Sequence, residues 1–137
     1  MIPPNVPNVG QFSFNLKQGA DASIAMTWLG DDGQPINLTG FSMKMAIKPF
    51  INSTVSRLTL SSDDTTGSYI ALGGSDGTIT INFAHADTAT LQANGLMAQG
   101  GGRVVQLGVY DLQYTDPDGN IGYLLEGSIT LNLRVTE

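Results

Sequence analysis

Alternation of apolar and polar residues recurs along most of the chain, the pattern of strands whose successive side chains point to opposite faces. It is most extended near the C-terminus. There Val105, Leu107 and Val109 occupy odd positions and Tyr110, Leu112 and Tyr114 even ones. After Asp116-Pro-Asp-Gly-Asn120 a second run places Ile121, Tyr123, Leu125, Ile129, Leu131, Leu133 and Val135 on odd positions. Two alternating runs around turn residues predict a hairpin whose second strand builds the core with its odd-numbered face. The parity switch within the first run predicts either a bulge near Gly108 to Tyr110 or a strand buried on both faces.

Upstream, Phe12, Phe14 and Leu16 predict a first short strand, and Ala22, Ile24, Met26 and Trp28 a second. Phe41, Met43, Met45 and Ile47 predict a third that stops at Pro49, which has no backbone donor for a ladder. Val55, Leu58 and Leu60, then Ile70 and Leu72, predict short strands, and Ile79, Ile81 and Phe83 a further one. Gly30 to Pro35 and Gly73 to Gly77 carry the glycine and aspartate of tight turns. Residues 84–93 hold the one concentration of helix formers and predict one or two helical turns, with Ala86, Ala89 and Leu91 near one face. Short strands between turn signals predict an all-β fold, an Ig-like antiparallel β-sandwich of about seven strands with one short connecting helix. Residues 12–137 are expected to form that domain. Residues 1–11 are expected as an extended N-terminal arm, because Pro3, Pro4 and Pro7 fix φ and lack the donors that a sheet interior needs.

Composition adds constraints. With 137 residues, one domain can bury about two-thirds of the surface its unfolded chain exposes. Charged residues make up only 13%, well under the roughly 25% usual in soluble proteins. Such a surface suits a protein packed against neighbours. Twelve acids against six bases give a net charge of −6, and Lys17, Lys44, Lys48, Arg57, Arg103 and Arg134 are scattered. Nonspecific binding to nucleic acid or to an anionic membrane, which needs clustered Lys and Arg, is not expected. The absence of cysteine removes disulfides and thiolate chemistry. The start has neither the basic nor the apolar region of a signal peptide.

Chemistry is sparse. His85, the single histidine, with Asp87 two residues on, lacks a Gly-x-Ser-x-Gly elbow and reads as a helix-entry residue. One histidine without cysteine leaves too few preferred zinc ligands. Asp116-Pro-Asp118-Gly-Asn120 places oxygens at alternating positions, as a calcium loop does. However, Ile121 stands where that loop needs glycine and Gly127 where it needs a bidentate glutamate, so a hairpin turn is expected. Trp28, Tyr69, Tyr110, Tyr114 and Tyr123 suit a sugar-binding platform, but Trp28, Tyr110, Tyr114 and Tyr123 fit apolar strand registers and are expected in packing. No enzymatic activity, cofactor or metal is expected, and glycan binding is disfavoured.

The succession Gln18-Gly-Ala-Asp21, Ile24-Ala-Met-Thr-Trp28, Asp32-Gly-Gln-Pro-Ile-Asn-Leu-Thr-Gly40 and Met43-Lys-Met-Ala-Ile-Lys-Pro49 resembles the Ig-like structural modules of tailed-phage virions. In particular it is similar to the N-terminal attachment domain of phage upper baseplate proteins. Asp76 to Ile81, Ala86 to Leu91, Tyr110 to Gly119, Leu124 to Leu131 and the ending Val135-Thr continue the likeness, which covers nearly the whole chain after residue 11. It implies a non-enzymatic virion component of tail, baseplate, neck or fibre attachment, made in the host cytoplasm. Such a component docks on other phage virion proteins and is present as a homo-oligomer or in several copies. A capsid decoration protein is the alternative within the same biology, and a carbohydrate-binding module the alternative outside it. The chain departs from the pattern at Asn94 to Arg103, where the family has a short turn. Candidate partner contacts are therefore Pro3, Pro4 and Pro7 of the arm, with Leu96, Met97 and Arg103 of the inserted glycine-rich loop.

Overall fold

The structure, a computed structural model, describes residues 10–91 and 104–134. Among these residues nine strand segments and two short helical turns follow one another: β1 (Gly10–Gln11), β2 (Phe14–Lys17), β3 (Ala22–Thr27), β4 (Ser42–Lys48), β5 (Leu58–Ser61), β6 (Tyr69–Leu72), a 3-10 turn (Gly74–Asp76), β7 (Thr78–Phe83), α1 (His85–Thr88), β8 (Val104–Thr115) and β9 (Ile121–Asn132). They form two packed sheets. One runs β1-β9-β8-β4-β5, with β2 also on β9, and the other runs β3-β7-β6. This division is that of an Ig-like sandwich in which the strand after the third core strand joins the larger sheet. Pairing is antiparallel except at the edge of β9, where β1 and β2 lie parallel to it. Gly10 and Gln11, the last two residues of the arm that the sequence suggests, thus belong to the sheet.

The core fills the space between the sheets. Met43, Met45 and Ile47 of β4, Leu107, Tyr110 and Leu112 of β8, and Ile129 and Leu131 of β9 face Ile70 of β6 and Ile79, Ile81 and Phe83 of β7. Trp28, Phe41 and Tyr114 close one end with ring centroids 5.1 to 6.1 Å apart. Leu91, just past α1, closes the other. Ile36 and Leu38 are buried without belonging to a strand, and Leu38 is held by its N–H donating to the Gly74 carbonyl. In α1 the buried residue is Thr88, whose hydroxyl donates to the Ala20 carbonyl and accepts from the Gly19 N–H. Ala86 is exposed, so the expected apolar face is corrected: a polar side chain with partners docks this short turn, together with Leu91. Val55 lies outside β5 and is exposed.

The closing hairpin carries two bulges. On β8 the pairing steps from Gln106 opposite Thr130 to Gly108 opposite Ile129, leaving Leu107 as the extra residue. This is the bulge announced by the parity switch, and it moves the buried set from Val105 and Leu107 to Tyr110 and Leu112. Gly108 fits because a Cβ there would lie 2.1 Å from the Lys48 carbonyl oxygen. On β9 the pairing steps from Leu112 opposite Leu125 to Gln113 opposite Tyr123, leaving Leu124 extra. The odd-numbered face therefore builds the core only after this bulge. Ile121 and Tyr123, expected inside, are 64% and 46% exposed on the outer face.

Candidate functional site

The sequence-derived chemical candidates resolve into structural roles. His85 and Asp87 diverge: the His85 N–H and Nδ1 meet the Asp21 carboxylate at 2.6 and 3.0 Å, while Asp87 accepts from the Ser68 N–H and hydroxyl. Both interactions pin the start of α1. The hydrogen bond from the His85 backbone, ahead of that from its ring, holds the Asp21 carboxyl below the usual carboxylate range. Asp116 accepts from the Asp118 and Asn120 N–H groups on Oδ1 and from the Asn120 amide on Oδ2. Its carboxyl is thereby lowered, most by the Asn120 side chain. These bonds and the positive φ of Gly119 describe a tight turn that already uses the oxygens a cation would need. Among the described residues no group of three or more His, Asp or Glu side chains could hold a metal ion. Trp28 and Tyr114 pack on each other, and Tyr110 is buried with its hydroxyl donating to the Phe12 carbonyl at 2.6 Å. Of the four aromatics assigned to packing, Tyr123 is the exception, turned outward by the Leu124 bulge. Pro3, Pro4, Pro7, Leu96, Met97 and Arg103 lie outside the described residues.

What the fold does assemble is a shallow cleft of ≈ 680 Å³ on the outer face of the six-stranded sheet. Its construction follows from strand register. Because Met43, Met45 and Ile47 point inward, Lys44, Ala46 and Lys48 point outward. Ala46 sits opposite Thr59 on one side and Asp111 on the other; Asp111 sits opposite Glu126, and Glu126 opposite Gln11. This row crosses five strands. Its smallest side chain, Ala46, lies near the middle and lowers the floor. A second row runs Lys44, Gln113, Tyr123, and a third Lys48, Val109, Ser128. Gln113 fixes the Tyr123 ring by donating to its hydroxyl at 2.8 Å.

The charges in this cleft are segregated: two cations on β4 and two anions on β8 and β9. None of the four forms an ion pair with another. Asp111 and Glu126, directly opposite on adjacent strands, repel. Burial first, and the Glu126 carboxylate second, push the Asp111 carboxyl above its ordinary value, with Lys48 pulling the other way. Beside the cleft, the loop from β4 to β5 presents Phe50, Ile51 and Val55, with Ile51 at its rim and 81% exposed. That loop is held by buried Ser53, whose hydroxyl donates to the Val55 carbonyl and accepts from the Val55 N–H. Three exposed apolar side chains on a pinned loop, next to unpaired charges, make a surface suited to contact with another protein.

None of Lys44, Asp111, Glu126 or Ile51 stands out as a site residue in the sequence, and Tyr123, weighed there as part of a sugar platform, is expected in packing instead. The available signal was the outward parity of Lys44, Ala46 and Lys48, which marks a polar face without saying what lies across from it.

No protein-family model and no curated protein matches the sequence. Among solved structures, the chain is similar to a ZIG-8–RIG-5 IG1–IG1 heterodimer chain, at 10% identity, 96% coverage of this chain, 89% of that one and a TM-score of 0.41. It is likewise similar to a structure from photo-crosslinking analyses of multimeric cell-adhesive interactions of VGSC beta subunits. The values there are 16% identity, 90% and 92% coverage, and a TM-score of 0.40. The Ig-like assignment of this chain rests on its own strand order.

Proposed function

We propose that the chain is a non-enzymatic structural module of a tailed-phage virion that docks on other virion proteins through the outer face of its six-stranded sheet. The observation that carries the docking reading is the cleft itself: aligned rows of unpaired charges around Ala46, bordered by a pinned apolar loop. Charged rows of this kind give orientation and partner discrimination, and the apolar rim supplies burial. The virion setting is supported by the sequence resemblance, whose segments Met43 to Pro49, Tyr110 to Gly119 and Leu124 to Leu131 include the strands that build the cleft. A position in the tail, baseplate, neck or fibre attachment follows from the same resemblance, with capsid decoration as its alternative.

Mass spectrometry of purified tails and of DNA-free capsids from the phage encoding the chain tests the setting. Recovery in tails is expected, recovery on capsids alone selects decoration, and absence from both refutes a virion role. The docking face is tested with Ala46→Arg, which fills the cleft floor from the outward side of β4. The variant should fold normally and fail to enter particles; normal incorporation would show that this face is not the contact. One observation favours a second reading, because Tyr123 is an exposed ring beside polar groups, as in sugar sites. Binding on a glycan array that is lost in Tyr123→Ala would replace the scaffold reading with a carbohydrate-binding one.

A further inference from the structure

We propose that β3 is a self-association edge, at which two copies of the chain pair their β3 strands antiparallel about a two-fold axis through Ala25. Strand β3 is the outer strand of the three-stranded sheet, and no described strand covers its far side. The direction of its backbone groups can be read from the ladder. The Trp28 N–H donates to the Gly77 carbonyl at 2.9 Å, in register with Thr27 opposite Thr78. Because hydrogen-bonding direction alternates along an antiparallel strand, Met26, Ile24 and Ala22 also turn toward β7. Ser23, Ala25 and Thr27 therefore turn their N–H and C=O groups to the open edge.

This edge lacks the devices that normally discourage pairing. Over six residues it contains no proline, no charge and no bulge, whereas natural edges are usually shortened, charged or bent. The other edges formed by described strands are short: β1 has two residues, and β2, β5 and β6 have four each. An open backbone edge selects an extended strand as its occupant, and the pattern of β3 makes a second copy of itself a fitting one. Centring the two-fold on Ala25 sets Ser23 opposite Thr27 of the second copy, so that each outward residue meets an outward residue. Three residues per copy, each with a donor and an acceptor, close roughly six bonds. The same register brings Ile24, half-buried in the single chain, against Met26 of the second copy on the core side. Ser23, Ala25 and Thr27 meet on the outer side without like charges. A six-strand sheet results, β6-β7-β3 continued by β3-β7-β6. Edge pairing alone buries less than the roughly 1,200 Å² of a stable interface, so the pair forms at high local concentration.

Sedimentation equilibrium of the full chain, from micromolar to millimolar, tests this independently of where the chain resides in any particle. The average mass should rise from that of one chain toward that of two. Ala25→Pro deletes only a donor facing the open edge and should hold the chain at one mass throughout. A chain with Ser23→Lys and Thr27→Lys, and another with Ser23→Glu and Thr27→Glu, should each stay single, while an equimolar mixture should pair. The register requires this, because position 23 of one copy faces position 27 of the other. A wild-type chain that stays single at millimolar concentration would overturn the proposal. So would association that survives these substitutions, or a charged mixture that stays unpaired although both variants melt as the wild type does.

Discussion

Gly127→Ala should be among the most damaging single-methyl additions in this protein. Gly127 lies on β9 opposite Tyr110, where the link between β1 and β2 crosses over it. A Cβ there would sit 2.1 Å from the Phe12 carbonyl oxygen and 2.7 Å from its carbon. Real Cβ atoms approach no closer than 3.0 Å, so that carbonyl must retreat by about 0.9 Å. The carbonyl is not free to move. It accepts the Tyr110 hydroxyl at 2.6 Å, the Phe12 N–H donates to the Glu126 carbonyl, and the Ser13 hydroxyl oxygen accepts from both the N–H and the hydroxyl of Ser128. Overpacking of this kind costs about 1–3 kcal/mol and each neutral hydrogen bond lost about 1 kcal/mol, so a total of about 2–4 kcal/mol is expected. Urea denaturation followed through the single tryptophan, Trp28, measures it. Tyr110→Phe removes only the hydroxyl bond and should cost about 1 kcal/mol. Combined with Gly127→Ala it should be sub-additive by nearly that amount, because the displaced carbonyl has already lost its donor. A Gly127→Ala cost below about 0.5 kcal/mol, or full additivity in the double mutant, would refute this account of how the first strand is clamped. Tyr110 offers a second readout: burial raises its hydroxyl from 10.0 to about 12. The folded chain keeps that proton where the unfolded chain loses it, so stability falls as pH rises from 10 to about 12, and Tyr110→Phe should flatten the fall.

Leu131, fully buried on β9, should cost about 2–5 kcal/mol as Leu131→Ala. Asp118→Ala, on the exposed turn, should change stability by less than about 0.5 kcal/mol in the same urea melts; a reversed order would place the wrong face of β9 in the core. Asp111→Asn should stabilise the chain at pH 7 by a few tenths of a kcal/mol, the scale of a like-charge cross-strand pair. The sign follows from its raised carboxyl: between 3.8 and the raised value the folded state binds the extra proton, so wild-type stability declines as pH rises through that window. The gain should vanish near pH 3, and a pH-independent gain would assign it to packing instead. Asp116→Asn should do the reverse. Its carboxyl is lowered in the fold, so its contribution is present above 3.8 and lost as pH falls through the lowered value. The variant should melt earlier than wild type at pH 7, and the gap should narrow as pH falls below 3.8, by thermal circular dichroism.

Much of the fold is legible because half-buried strands write their burial into parity. β3, β4 and β7 alternate cleanly, and the Gly108 bulge shows as a switch from odd to even. The Leu124 bulge is silent for a physical reason: Leu124 and Leu125 are both apolar, so the run reads as continuous on odd positions while the chain has stepped by one. That step turns Ile121 and Tyr123 from core into surface. The parallel docking of β1 and β2 is equally unwritten, since local pattern records which face is buried and not which strand lies alongside. The cleft suffers most from this. Its central row brings together Gln11, Ala46, Thr59, Asp111 and Glu126, which only pairing register aligns. Read singly, each is an ordinary solvated residue.

The two surfaces occupy different layers, and this separation has a mechanical consequence. The cleft belongs to the outer face of the six-stranded sheet, whereas β3 borders the three-stranded one, so pairing through β3 leaves the cleft of each copy uncovered. A two-fold pair then presents two equivalent clefts, one on the six-stranded sheet of each copy, held at a fixed spacing by the shared sheet packed beneath them. Once one cleft is engaged on a repetitive assembly, the second acts at an effective concentration fixed by the sandwich and not by free solution, so two weak contacts hold together. Weak edge pairing is then an asset, since it keeps free chains apart and joins those already brought side by side. Ala25→Pro should accordingly reduce the avidity of surface-bound chains, seen as faster dissociation from densely loaded assemblies, while leaving the affinity of a single isolated copy unchanged. Equal dissociation of the two proteins would mean that each copy binds alone.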